Sequence, residues 1–182
     1  MAESKVERVV LRRKSFPVLS WTIMIVLGAF AVAAAGSIES GAARGPLIGV
    51  AACLGTIALV RRILCSRIVL GKISLKVVNP VFTYELPYRL VAQVKTATNG
   101  TLTVDMVDGH EVYATAFGGS LLDHFVGSSE KAATRLQEAV RQRRGRLGVG
   151  VSARRTLTVS WIADLCTLGA VGVLIAAIAV GG

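Results

Sequence analysis

Three long apolar runs stand out in the pattern of hydrophobic and polar positions along this chain. They cover residues 16–35, 45–60 and 159–180, and the only charged residue inside them is Asp164. Twenty residues of α-helix rise about 30 Å, which is the thickness of the hydrocarbon core of a bilayer. Because lipid offers no hydrogen-bonding partner to a backbone group, each run predicts a membrane-spanning helix.

Two alternatives stay open in the first half of this pattern. The second run is short, and its helix reaches Leu64 only if Arg61 and Arg62 extend their side chains to the lipid headgroups. The first run, with basic residues before it and alanines at 33–35, also resembles a cleaved secretory signal. The apolar core of a signal has about 7–15 residues, so the greater length of this run favours a retained helix.

Between the second and third runs, apolar and polar residues alternate, which is typical of β-strands. Asn-Gly at 99–100 and Asp-Gly at 108–109 are residue pairs that form tight hairpin turns. Helical spacing returns at 129–144, with Leu136 on the apolar face and a serine positioned to cap the helix. The alternation predicts about six short strands in a meander, over 68–70, 73–77, 81–86, 90–98, 101–106 and 112–117.

A series of six or seven strands closed by one amphipathic helix is the order of a PH-like domain. The run Tyr-Glu-Leu-Pro-Tyr at 84–88 is similar to a turn of bacterial PH domains, in which an apolar residue and proline precede an aromatic residue. Over residues 65–143 the chain resembles bacterial PH-like membrane proteins of the actinobacterial type, although a third helix after the domain is less common there. The resemblance implies an α+β membrane protein with three transmembrane helices, a PH-like antiparallel β-sandwich or barrel and one C-terminal amphipathic helix. It brings no shared catalytic or ligand residues.

Composition agrees with a membrane protein that carries one soluble domain. Apolar residues make up 53% of the chain and charged residues 18%, whereas soluble domains have roughly 25% charged residues. The patterns divide the chain into a basic tail at 1–15, a transmembrane hairpin at 16–64, a PH-like domain at 65–146, a basic linker at 147–158 and a third transmembrane helix at 159–182.

The distribution of Lys and Arg predicts the orientation of the chain. Of the 21 basic residues, five precede the first run, one lies in the short connector 36–45 and fifteen lie at 61–155. Basic residues close to membrane helices stay on the cytoplasmic side. We therefore expect a multi-pass protein of the cell membrane, with the N-terminus and the PH-like domain cytoplasmic and the C-terminus extracytoplasmic.

The formal net charge of +10 points to an anionic partner. Nucleic acid is disfavoured, because the basic stretches lack the interleaved aromatic residues on which bases stack. An anionic membrane leaflet attracts each nearby basic residue by about 1 kcal/mol. The candidate headgroup contacts are Arg61, Arg62, Arg141, Arg143, Arg144, Arg146, Arg154 and Arg155, for which the orientation of the chain alone is an equally good explanation.

Asp164 is the one charged residue inside the third run. A carboxylate at the centre of a membrane helix costs roughly 2.5–3.5 kcal/mol on insertion, so it is expected to face a partner or water. It lies three residues after Trp161, an amphipathic side chain typical of the interface. Three explanations stay open: contact with Arg154, Arg155 or headgroup water, pairing inside a helix bundle, or ion conduction.

No pattern in the sequence predicts catalysis, a metal site or a cofactor. Phosphate-binding loops, HExxH and the GxSxG elbow are missing. The three cysteines lack CxxC spacing, and neither His110 nor His124 lies in a pattern that predicts a catalytic triad. Asp105, Asp108 and Glu111 lack the spacing of a calcium loop. We expect a protein that is not an enzyme and has no cofactor.

The hypothesis that fits these observations best is a membrane-anchored PH-like adaptor or scaffold, which contacts proteins and lipids at the cytoplasmic membrane. The alternative is a small transporter or channel subunit that uses Asp164. Small residues recur along the three apolar runs and allow close packing of helices, either within this chain, with a second copy or with other chains.

The predicted orientation can be tested by labelling single added cysteines in intact cells. Gly182→Cys should react with an impermeant thiol reagent from outside, and Thr101→Cys should not, because the charge distribution places them on opposite sides of the membrane. The same variants in opened cells provide the control for reactivity. Labelling of Thr101→Cys in intact cells would contradict the orientation.

Overall fold

The fold is that of a computed structural model, which describes residues 9–12, 15–38, 44–96, 101–117, 128–143 and 152–180. It consists of two compact units, between which the chain passes three times. The helical unit comprises Lys14–Leu64 and Val159–Gly182, and the sheet unit comprises Met1–Arg13 and Cys65–Thr158. The elements in chain order are β1 (Val9–Leu11), α1 (Ser15–Gly36), α2 (Arg44–Leu64), β2 (Arg67–Leu70), β3 (Ser74–Val78), β4 (Phe82–Pro87), β5 (Val91–Thr96), β6 (Leu102–Met106), β7 (Glu111–Ala114), α3 (Ser128–Arg143), β8 (Arg154–Leu157) and α4 (Trp161–Val180).

Each helix of the helical unit is long and apolar enough to cross a membrane. The mean hydropathies of α1, α2 and α4 reach 2.2, 1.9 and 2.2. Many of their large apolar side chains are exposed, such as Ile25 at 67% and Leu168 at 71%. Contiguous apolar surface of this extent is unfavourable in water and suits lipid. The three apolar helices predicted from the sequence are therefore confirmed.

Small residues mediate the packing of α2 against both α1 and α4. A Cβ added to Gly49 in α2 would lie 3.7 Å from the Cβ of Ala34 in α1. One added to Gly169 in α4 would lie 3.4 Å from Leu54 in α2. Such small residues let helix backbones approach closely, and this makes α2 the helix that both others share.

The sheet unit contains two antiparallel sheets. The larger has the strand order β1-β2-β3-β4-β8, and the smaller has the order β5-β6-β7. The sequence predicted one meander, but the chain changes sheets after β4. Pro87 ends β4, because proline has no N–H to donate to a further rung, and a short 3₁₀ helix at Tyr88–Leu90 leads into β5.

Two strands lie in segments that the sequence predicted to be a tail and a linker. β1, in the tail 1–15, pairs with β2 and places Val10 opposite Val69. β8, in the linker 147–158, pairs with β4 and places Arg155 opposite Tyr84. β1 has only three residues and β8 is exposed along its whole length, so neither carries a period-two pattern. Backbone pairing with an existing sheet edge forms them.

One core joins the two sheets to α3. The predicted amphipathic helix is confirmed: Ala133, Leu136 and Val140 of α3 recur at helical spacing and are buried, Leu136 completely. Their neighbours in this core include fully buried residues of five strands, namely Ile68, Leu75, Val77, Leu86, Val91, Leu102 and Val104.

Turn residues set the connections between the strands. Gly109 has a φ of 83°, the left-handed conformation that glycine adopts without strain, so the turn predicted at 108–109 is confirmed. The turn predicted at 99–100 lies outside the described residues. Asn79 links the two sheets, because its side chain donates to the Tyr113 carbonyl at 2.7 Å and accepts from the Thr115 N–H at 3.0 Å.

The core position of Leu136 can be tested by Leu136→Asp. This change places an unpaired carboxylate in the core and should destabilise the sheet unit by more than about 3 kcal/mol. Thermal unfolding and limited proteolysis of the full chain in detergent micelles measure the loss. Arg135→Asp, at the exposed neighbouring position, is the control and should change stability by at most about 0.5 kcal/mol. Equal stability of the two variants would show that α3 does not pack on the core.

Candidate functional site

An ion pair holds Asp164 inside the helical unit. The Arg62 guanidinium donates to one carboxylate oxygen at 2.5 Å, and the Ser160 backbone N–H donates to the other at 3.1 Å. Asp164 lies in the first turn of α4, where the helix dipole favours a negative charge. Of the three explanations for Asp164, pairing between helices is the one that these contacts describe. The partner in these contacts is Arg62 of α2.

Arg61 connects α2 to α1 at the same end of the helical unit. Its guanidinium donates to the Ser20 hydroxyl at 2.9 Å, and it lies 5.8 Å from the centre of the Trp21 ring. Ser20 is completely buried. The adjacent arginines Arg61 and Arg62 therefore join α2 to α1 and to α4, respectively. Both were expected to reach lipid headgroups, and the structure gives each a partner within the protein.

Arg143, the last residue of α3, forms hydrogen bonds with other residues of the sheet unit. It donates to the Gly71 carbonyl at 2.7 Å and to the Tyr88 hydroxyl at 3.2 Å. The Tyr88 hydroxyl in turn donates to the Gly71 carbonyl at 3.0 Å. Burial raises the pKa of Tyr88, although the nearby Arg143 charge acts in the opposite direction. The predicted headgroup contacts Arg144 and Arg146 lie outside the described residues.

The basic residues of β8 face residues of β4. The Arg155 guanidinium lies 3.5 Å from the centre of the Phe82 ring, a close cation–π contact. Arg154 is paired in register with Glu85. Burial raises the pKa of Glu85, but hydrogen bonds from Ser74 and Lys76 and the charges of Lys76 and Arg154 outweigh it, so this pKa lies below its ordinary value. Both arginines were expected to contact lipid headgroups; here they lie along a sheet edge.

The outer face of the smaller sheet carries a polar cluster around Asp105. This carboxylate is largely buried, and one of its oxygens accepts from the Lys95 ammonium at 2.6 Å and from the Gln93 amide at 3.2 Å. The hydrogen bond to Asp105 raises the pKa of Lys95. In the part of the chain that the structure describes, no group of three His, Cys, Asp or Glu residues is arranged to hold a metal ion.

A groove of about 280 Å³ lies between β5 and α3. Its lining comprises Ala92, Gln93 and Val94 of β5 together with Gln137, Val140 and Arg141 of α3. Of the predicted headgroup contacts that the structure describes, only Arg141 lines this groove. The groove could not be predicted from the sequence, because no local pattern shows which strand α3 packs beside. The available signal in the sequence was the spacing of Gln137 and Arg141, which are four residues apart and therefore lie side by side on α3, next to its buried face.

Comparison of the chain with protein-family models, with curated proteins and with solved structures finds no match.

The Arg62–Asp164 pair can be tested by a double-mutant cycle. Arg62→Gln and Asp164→Asn each leave one charge without its partner, so each should destabilise the helical unit more than the double variant does. We expect a coupling energy of about 1–3 kcal/mol from thermal unfolding of the full chain in detergent micelles. Arg44→Gln, at the opposite end of α2, is the control. Additive effects of the two changes would show that the pair does not hold α2 to α4.

Proposed function

We propose that this chain is a membrane-anchored, non-catalytic adaptor, whose sheet unit is a PH-like module that binds a partner protein at the cytoplasmic membrane. The observation that carries the proposal is the groove between β5 and α3, which lies beside the edge of a sheet. Edge strands present unpaired backbone groups to which another chain can pair.

The order of elements supports a PH-like module. Three strands, β2 to β4, precede three strands of a second sheet, β5 to β7, and the amphipathic helix α3 follows and packs on the core. This is the order on which the resemblance to bacterial PH domains was based. The added edge strands β1 and β8 extend the larger sheet on both sides, and each continues along the chain toward a membrane-length helix.

The distribution of charge supports a cytoplasmic position for the sheet unit. All three passages between the units occur at the start of α1, the end of α2 and the start of α4. The contacts of Arg61 and Arg62 bring these three helix ends together. Fifteen of the 21 basic residues lie in the segment 61–155, and this end therefore faces the cytoplasm in the proposed orientation.

Protein contact is favoured over headgroup recognition because most of the described candidate arginines already have protein partners. In the helical unit, Arg61 contacts Ser20 and Arg62 contacts Asp164. In the sheet unit, Arg143 contacts Tyr88 and Arg155 contacts Phe82. A module that is tethered at both ends also needs no lipid affinity to reach the membrane. The anionic leaflet is then a nonspecific attraction and the partner protein is the specific one.

The transporter alternative receives less support from the contacts of Asp164. A carboxylate that forms an ion pair with Arg62 and accepts from the Ser160 N–H has its charge compensated by the protein. Such a group stabilises helix packing, whereas a conduction site needs a carboxylate that exchanges ions with water.

The adaptor function can be tested by crosslinked co-purification of the full chain from its native membrane. We expect Leu136→Asp, which disrupts the sheet unit, to abolish recovery of the partner while the helices remain inserted. Asp164→Asn should preserve recovery, because it changes only the helical unit.

Two results would contradict the adaptor function. One is ion or solute flux through reconstituted protein that Asp164→Asn abolishes. The other is saturable, headgroup-specific lipid binding by the full chain without any protein whose recovery depends on the sheet unit.

A further inference from the structure

β5 is the edge of the smaller sheet that lies beside α3. It pairs with β6 on one side, and among the described residues no strand pairs with it on the other. The register shifts between Val91 and Gln93, so β5 has a bulge there, and Ala92 and Gln93 are exposed. The outer backbone groups of an edge strand can pair with an extended segment of another chain.

The groove next to this edge has an apolar floor and polar walls. Val94 and Val140 are buried, whereas Gln93, Gln137 and Arg141 are exposed. Its volume of about 280 Å³ lies just below the roughly 300–1,000 Å³ typical of small-molecule pockets. The space therefore suits the side chains of a peptide laid along β5 better than an enclosed ligand.

The positive charge of the groove indicates which kind of ligand it binds: an acidic segment, a second copy of this chain or a lipid headgroup. Among the described residues that line it, Arg141 is the only charged one and none is acidic. A guanidinium binds a carboxylate through paired hydrogen bonds, so the groove favours an acidic side chain. A second copy of this chain would bring a groove of the same positive sign, and a headgroup would satisfy Arg141 without using the strand edge.

We propose that the groove binds an extended acidic segment of the partner protein, which pairs with β5 as a fourth strand and places a carboxylate against Arg141. This proposal rests on the adaptor function and names the kind of partner that the module recognises. Backbone pairing provides affinity that is independent of side chains, and Arg141 provides the preference for acidic segments.

The test uses the full chain in nanodiscs of zwitterionic phosphatidylcholine, so that lipid charge does not attract the peptides. The two probes are terminally blocked decapeptides, one of alternating valine and glutamate and one of alternating valine and lysine. Fluorescence anisotropy gives their Kd values, and hydrogen exchange reports protection of residues 91–96. We expect the glutamate peptide to bind at least tenfold tighter than the lysine peptide and to slow exchange in β5.

The matched variants are Arg141→Glu in the groove and Arg135→Glu at an exposed position of α3 outside it. Arg141→Glu should weaken binding of the glutamate peptide about tenfold and strengthen binding of the lysine peptide, because one charge contact changes from attraction to repulsion. Arg135→Glu should change either affinity by less than about twofold.

Any of four results with the peptides would overturn the proposal. They are equal affinities for the two peptides, absence of binding by both, insensitivity of the glutamate peptide to Arg141→Glu, and binding without protection of β5. Concentration-dependent protection of β5 without peptide would instead identify a second copy as the occupant. If Arg141→Glu also leaves recovery of the native partner intact, the groove proposal fails and the adaptor function stands.

Discussion

Backbone pairing at the two edges of the larger sheet is the constraint on which the sheet unit depends. The chain leaves this unit and returns to it, so its sheet has to be completed from pieces that are distant in sequence. β1 pairs with β2 at one edge, and β8 pairs with β4 at the other. Each edge strand lies only a few residues from a helix of membrane-spanning length. The same pairing therefore adds the two outermost strands of the sheet and determines where the chain enters and leaves it.

Guanidinium groups have a second role besides providing positive charge. Five N–H donors on a planar group can bind carbonyl, hydroxyl and carboxylate oxygens and can also stack on aromatic rings. Arg61 and Arg62 use these properties to connect the ends of three helices, and Arg143 uses them to hold the end of α3 beside Tyr88. The arginines on whose charge the proposed orientation rests thus also stabilise the packing of the protein.

The groove follows from how α3 packs. Its buried stripe, Ala133, Leu136 and Val140, joins the core, and this places Gln137 and Arg141 beside β5. The bulge in β5 interrupts the regular pairing with β6 close to the same position. An edge strand and a helix that flank an open groove leave backbone groups and one positive charge available together, which is the basis of the proposed recognition of a partner.

The sequence by itself determined the elements that local patterns encode. Length and hydropathy predicted the three apolar helices, alternation predicted β2 to β7 with their approximate bounds, and helical spacing predicted α3 and the burial of Leu136. These features depend on the side chains of one segment and need no knowledge of its neighbours.

Tertiary structure decided the features that depend on a partner distant in sequence. β1 and β8 become strands because a sheet edge offers hydrogen bonds. β1 is only three residues long and β8 is exposed along its whole length, so neither shows an alternation that would predict a strand. Asp164 pairs with Arg62, a residue of another helix, and the groove exists only where α3 packs next to β5. The sequence showed which residues carry charge, but distances between helices and strands decide which of those charges meet.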